Sequence, residues 1–261
     1  MPTSHVLFEI DGHTAFLTVN RPEARNAMTW DMYDALVRAC EQVDAHEDLR
    51  VFVVRAAGDT AFVAGTDISQ FTSVETQEAA IAYERRLDAV IDRLERVRVP
   101  TIARVQGVAA GGGCAIAFAC DLRVCSPEAT FGVPIARTLG NCLSASNYAR
   151  IIDLIGPART KELLFTGRLI DAAEAATLGL VTRLAPLEEL DATVRSLADS
   201  IAANAPLTIR ATKEAVRRIQ EHRRLESSLA DDLVAQCYTS ADFKEGVAAF
   251  LAKRPPHFTG Q

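Results

Sequence analysis

The sequence predicts an α/β core of parallel strands followed by a helical C-terminal region, and three of its features carry that prediction. Short runs of β-branched and aromatic residues alternate with helical patterns as far as Thr138, and parallel strands require such crossovers. Beyond Thr138 helical periodicity dominates. Within the first part, residues 105–119 form a strand–glycine–helix junction, which brings backbone amides close to whatever binds there.

The elements follow in order. Residues 6–10 and 15–19 read as strands around the turn Asp11-Gly12. Thr29 is placed to cap a helix running to about residue 46, with Met32, Leu36, Cys40 and Val43 on one face. Residues 51–54 are a buried strand. Residues 75–97 form a heavily charged helix that ends before Pro100. Strands at 101–105 and 121–125 flank the glycine-led apolar helix that reaches about residue 119. Helices are then expected at 143–155, 157–165, 171–178, 187–203, 206–222, 224–237 and 241–252, with one strand at 181–184. Asp171 with Glu174 reads as a capping pair. The chain divides into a core, residues 1–195, and a helical region, residues 196–261. No flexible linker separates them, so the helices are expected to pack on a core, their own or a neighbour's.

Composition narrows the function. With 261 residues and 49% apolar content, the chain can bury a sizeable core. The net charge of −6 argues against nucleic acid as the main partner, since a basic face would be needed. A polyanionic small ligand stays possible, because it needs only a few cations and N–H groups. The six cysteines show no CxxC pair and read as reduced, mostly buried thiols of a cytoplasmic protein. No zinc-like cluster is visible, so no metal is expected. The most apolar stretch, residues 105–120, is too short and glycine-rich to span a membrane, and no targeting pattern opens the chain.

Two segments carry chemistry. The first, residues 61–68 (AFVAGTDI), follows a buried strand; its small residues let backbone approach a ligand closely. Alone it reads equally well as a strand-end turn. The second, residues 105–114 (VQGVAAGGGC), aims free amides and a helix dipole at an anion. It is neither a Walker loop nor a dinucleotide fingerprint, because no Lys-Ser/Thr and no ribose-binding acid follow. Alone it reads as a tightly packed helix entrance.

Together with residues 20–27 (NRPEARNA), 131–134 (FGVP), 165–168 (FTGR) and the tail 245–254, these segments resemble the crotonase superfamily, the enoyl-CoA hydratase/isomerase family, over nearly the whole chain. The resemblance implies a crotonase-like spiral of ββα repeats with a C-terminal helical trimerisation region, and a homotrimer or hexamer. It implies an acyl-CoA thioester as partner, with coenzyme A part of the substrate and no separate cofactor. The backbone N–H groups of Thr66 and Gly112 match the pair that holds the thioester oxygen. Arg25, Ala27, Ala64, Gly65, Asp67 and Ile68 match positions along the bound substrate. Phe250 and Lys253 match tail positions that reach the nucleotide end, in some members across subunits.

The sequence departs from the family where protons move. Hydratases of this kind use two glutamates; here Ala115 and Ile135, followed by Ala136, stand in their places. Hydration by the usual pair is therefore not expected. Lyase, isomerase, decarboxylase or hydrolase chemistry through a stabilised enolate or related oxyanion is the first reading. A non-catalytic acyl-CoA-binding or assembly subunit is the alternative. Arg137 is a candidate for binding an acyl carboxylate, against a plain surface or coenzyme-facing cation. Cys142 reads as a buried structural thiol rather than a nucleophile. Glu84 and Asp88 read as a solvated helix face. The Thr66 hydroxyl is expected either to bond substrate or to cap the next turn.

Overall fold

The structure, a computed structural model, describes residues 5–261. A hairpin of β1 (Val6–Asp11) and β2 (Thr14–Val19) leads to α1 (Trp30–Ala45). Three turns of a spiral follow. The first is β3 (Val51–Ala56), β4 (Ala61–Val63) and α2 (Gln77–Glu95). The second is β5 (Thr101–Val105), β6 (Val108–Ala110) and α3 (Gly112–Ala119). The third is β7 (Leu122–Cys125), β8 (Thr130–Gly132), the short α4 (Ile135–Thr138) and α5 (Ala145–Thr166). Then come β9 (Ile170–Asp171), α6 (Ala172–Thr177), β10 (Arg183–Leu184), α7 (Leu187–Ala202), α8 (Pro206–Arg223), α9 (Asp231–Tyr238) and α10 (Ala241–Leu251).

Each turn gives one strand to each of two sheets. The larger has the order β1-β2-β3-β5-β7-β10 and the smaller β4-β6-β8-β9. Pairing is parallel along both, except at β1–β2 and β8–β9. Strands buried on both faces explain the unbroken apolar runs. Val51 and Val53 face α7, where Leu190, Val194 and Leu197 cover them; Phe52 and Val54 face the main core with α1, α2 and α3. Burying each of those α7 side chains is worth roughly 1.5–3 kcal/mol. Residue 195 lies inside α7, and the chain next leaves helical structure at 203–205.

Several local expectations change. Thr29 is the N-cap of α1, but its side chain makes no capping bond. Asp171 does cap α6, accepting from Glu174 N at 2.8 Å, while the Glu174 carboxylate turns to Arg168 instead of closing a reciprocal box. The two helices expected at 143–155 and 157–165 are the halves of α5, hinged at Gly156 (φ 75°) just before Pro157. Among the described residues no helix is long and apolar enough to cross a membrane, and no group of three potential ligands could hold a metal ion.

Candidate active site

Three sutures bring the two predicted segments together. Asn26, fully buried with φ 59°, donates from Nδ2 to the carbonyls of Ala57 and Ala61, each at 2.9 Å, and accepts from Arg21 N. Gln106, also fully buried, donates to Ala56 O and Gly58 O at 2.8 and 2.9 Å. Gly113 lets α3 press on β4: a Cβ there would lie 2.0 Å from Val63 O. The loop after β4 is thereby held against the first turn of α3.

Within that junction Gly112 lies close to Thr66. A Cβ on Gly112 would stand 3.6 Å from Thr66 N. Neighbouring amides are committed: Met28 N to Gly65 O, Asp67 N to Met28 O, Gly111 N to Gly132 O and Ala115 N to Gly111 O. Among the described residues neither the Thr66 nor the Gly112 N–H has an acceptor. Gly112 also opens α3, whose N-terminus adds a partial positive charge. Two unpaired amides beside a helix start could together accept the charge of an oxyanion.

The side chains around it are mostly spoken for. The Thr66 hydroxyl pairs with Tyr33 Oη at 2.8 Å, and so does not cap the next turn; Asp67 does that, accepting from Ser69 N at 3.1 Å. Burial pushes the Asp67 carboxyl up, but the Arg21 guanidinium at 2.7 Å and Ser69 together hold it below the usual carboxylate range. The Arg25 carbonyl accepts from Ala64 N, the Ala27 carbonyl accepts from Arg21, and the Arg25 side chain is exposed. Ala64 and Ile68 are half-buried and Gly65 is buried. Arg137 is exposed on α4, and Phe250 and Lys253 are exposed at the end of α10.

Ala115 and Ile135 both pack, half-buried, against the main apolar core. Ala115 borders a small cavity with Leu143, Asn147 and Arg150. Cys114 is fully buried, donates to Ala109 O and accepts from Gly132 N, each at 3.0 Å; burial pushes its thiol up to about 12. Cys142 is buried and donates to Leu233 O on α9, as a structural thiol does.

The solvated face expected for Glu84 and Asp88 is not there. Both carboxylates are buried, at 4% and 6% exposure, between α2, residues 139–147 and α9. Ser144 Oγ donates to Asp88 at 2.6 Å and Asn147 Nδ2 at 3.1 Å. Tyr238 Oη donates to Glu84 Oε1. Tyr33, Tyr83 and Tyr238 pack beside this buried polar cluster, and in the sequence nothing but helical phase distinguishes them.

A sequence model of the enoyl-CoA hydratase/isomerase family matches residues 9–261. The chain belongs to that family. It is 33% identical to the short-chain-enoyl-CoA hydratase of Clostridium acetobutylicum over 256 residues, 97% of each chain. It is also 33% identical to the crotonyl-CoA hydratase of Syntrophomonas wolfei, over 99% of each. Among solved structures, methylmalonyl-CoA decarboxylase in complex with 2-nitronate-propionyl-CoA overlays with a TM-score of 0.90 at 26% identity, covering both chains fully. An enoyl-CoA hydratase/carnithine racemase from Magnetospirillum magneticum overlays with a TM-score of 0.81 at 33% identity, over 100% of this chain and 97% of that one. The spiral, the parallel sheets and the C-terminal helices are those of the crotonase fold, and this family member is an acyl-CoA enzyme.

Proposed function

We propose that this enzyme polarises the thioester carbonyl of an acyl-CoA in the Thr66–Gly112 hole and works through the resulting enolate, rather than by hydrating an enoyl bond. The observation that carries the reading is a complete pair of unpaired amides beside two positions, Ala115 and Ile135, that are packed in apolar core and cannot move a proton. Lyase, isomerase, decarboxylase and hydrolase reactions all suit such a site. Coenzyme A enters as part of the substrate, along Arg25, Ala27, Ala64, Gly65, Asp67 and Ile68, with Phe250 and Lys253 toward the nucleotide end. No separate cofactor is needed for that step.

The test is solvent deuterium uptake at Cα of propionyl-CoA and butyryl-CoA, run beside turnover of crotonyl-CoA and methylmalonyl-CoA. Exchange or turnover through Cα is the expected result. Tight binding of every thioester without exchange or turnover would instead identify an assembly subunit that only binds acyl-CoA.

The same reading includes a homotrimer or hexamer. Helix α8 buries none of its residues, and Leu207, Val216, Ile219, Leu225, Leu229 and Leu233 stay exposed along α8 and toward α9. A cavity of about 490 Å³ lies beneath α8, lined by apolar Phe118, Leu154, Ile209 and Val216 and by charged Glu95, Arg150, Lys213 and Arg224. So much uncovered apolar surface favours association with further copies. Sedimentation at micromolar concentration is expected to show a trimer or larger; a lone monomer would refute the assembly.

A further inference from the structure

Two of the six cysteines meet where α9 packs on the core. Cys142, between α4 and α5, is buried in the aromatic cluster that joins α2, α9 and α10. Cys237, on α9, is half-buried against the same cluster. Both are free thiols. Their approach is fixed from two sides. Cys142 Sγ donates to Leu233 O at 3.4 Å. Leu233 lies one helical turn before Cys237 on α9, and a helical side chain leans back over the turn that precedes it. Both sulfurs therefore gather at one carbonyl, and their side chains interact thiol to thiol. The neighbouring residues repeat the pairing: Asn141 Nδ2 donates to Tyr238 Oη at 3.0 Å.

The other four cysteines have a different environment. Cys40, Cys114, Cys120 and Cys125 are sealed in the main core, and burial pushes each thiol up to about 12. Cys237 is partly exposed, and the hydrogen bond shared with Cys142 pulls its thiol below the ordinary range while pushing Cys142 up. An accessible thiol with raised thiolate character, next to a second thiol, is the arrangement that oxidants select.

We propose that Cys142 and Cys237 are a redox-modification site, joined reversibly into a disulfide by a hydroperoxide, which ties α9 to the segment between α4 and α5. The Cys237 sulfur attacks one peroxide oxygen. An S–O bond forms, the O–O bond breaks, and the thiol proton leaves with the other oxygen, as water when the oxidant is hydrogen peroxide. The Cys142 sulfur then attacks the Cys237 sulfur. The S–S bond forms, the S–O bond breaks, and hydroxide leaves with the Cys142 proton as a second water. The two thiols lose two electrons and two protons, and the peroxide is reduced. A dithiol returns the electrons by exchange.

The bond would close a loop over residues 142–237 and fasten covalently what packing and the Asn141–Tyr238 contact hold. The segment is already pressed on the C-terminal helices, since a Cβ on Gly246 of α10 would come 2.3 Å from Leu139 O. Leu143 and Asn147, just beyond Cys142, line the small cavity beside Ala115. Oxidation therefore stiffens the segment that borders that cavity.

The experiment treats the native protein with a few equivalents of hydrogen peroxide, counts thiols in denaturant and maps tryptic peptides without reduction. Titratable thiols should fall from six to four and be restored by dithiothreitol. The cross-linked peptide should join residues 138–150, whose one cysteine is Cys142, to residues 225–244, whose one cysteine is Cys237. The unfolding temperature should rise by roughly 5–10 °C on oxidation and fall back on reduction. In Cys142→Ser a dimedone adduct on Cys237 should replace the cross-link, and Cys237→Ser should keep its remaining thiols through the same treatment. Six surviving thiols in the native protein, a bridge between other cysteines, or a bridge between two copies of the chain on non-reducing electrophoresis would overturn the assignment. The expected cross-link without a rise in unfolding temperature would overturn the tie between α9 and the core.

Discussion

Gly112→Ala is expected to lower thioester turnover by about 10²–10³-fold, the usual cost of losing one oxyanion donor. The argument is steric. A methyl carbon there lies 3.6 Å from Thr66 N and 3.0 Å from Thr66 Oγ1, in the space a carbonyl oxygen needs about 3 Å from both amides. It also meets Tyr33 Oη at 2.4 Å, so some overpacking cost of ~1–3 kcal/mol should appear in thermal unfolding. The control is Thr66→Ala, which keeps the amide and removes only the hydroxyl that pairs with Tyr33. That variant should still lower the carbonyl stretching frequency of a bound acyl-CoA analogue, while Gly112→Ala should lose the shift. Loss of the shift in Thr66→Ala, with the fold intact, would make the hydroxyl the donor and the backbone account wrong.

The two segments that carry Thr66 and Gly112 were legible only as part of the family's ordered motifs, since each alone reads equally well as a strand-end turn or a tight helix entrance. What the sequence hid is the material between them. Strands β4, β6 and β8 have three residues each, and β9 has two. Their partners are remote in sequence, and residues 108–110 merge with the glycine run, so no period of two can develop. The long strands β1, β2, β3, β5 and β7 show themselves by length and β-branching, and the break of α5 by its Gly-Pro pair.

Glu84 and Asp88 teach something different. Charge suggested a wet helix face, yet helical phase pointed inward. Ala80, Glu84, Leu87, Asp88, Ile91 and Leu94 follow the i, i+3, i+4 stripe that α2 buries. A carboxylate in phase with an apolar stripe has its ionised form penalised by burial, which is why both carboxyls are pushed up, Glu84 to about 7 and Asp88 to about 6. Phase therefore carried more information than composition on this helix. At Asp67 the side chain is engaged by Arg21 and Ser69.

Hydration of crotonyl-CoA should be far slower than in a relative that carries both glutamates. Positioned acid–base groups contribute typically ~10²–10⁴-fold each, and neither Ala115 nor Ile135 can replace one. The walls where the usual pair would stand are apolar: Ile135 packs on the main core, and Ala115 shares its small cavity with Val133, Leu143 and Ile151. The polar groups there, Asn147 and Arg150, are held by Asp88, Asp92 and Glu95. Stopped-flow absorbance of the enoyl thioester, at equal enzyme concentration and saturating substrate, gives the ratio directly. The ratio should fall by at least about 10²-fold. Hydration as fast as in the relative would mean that a second group activates water beside Ala115, and the enolate-only account of this site would have to be abandoned.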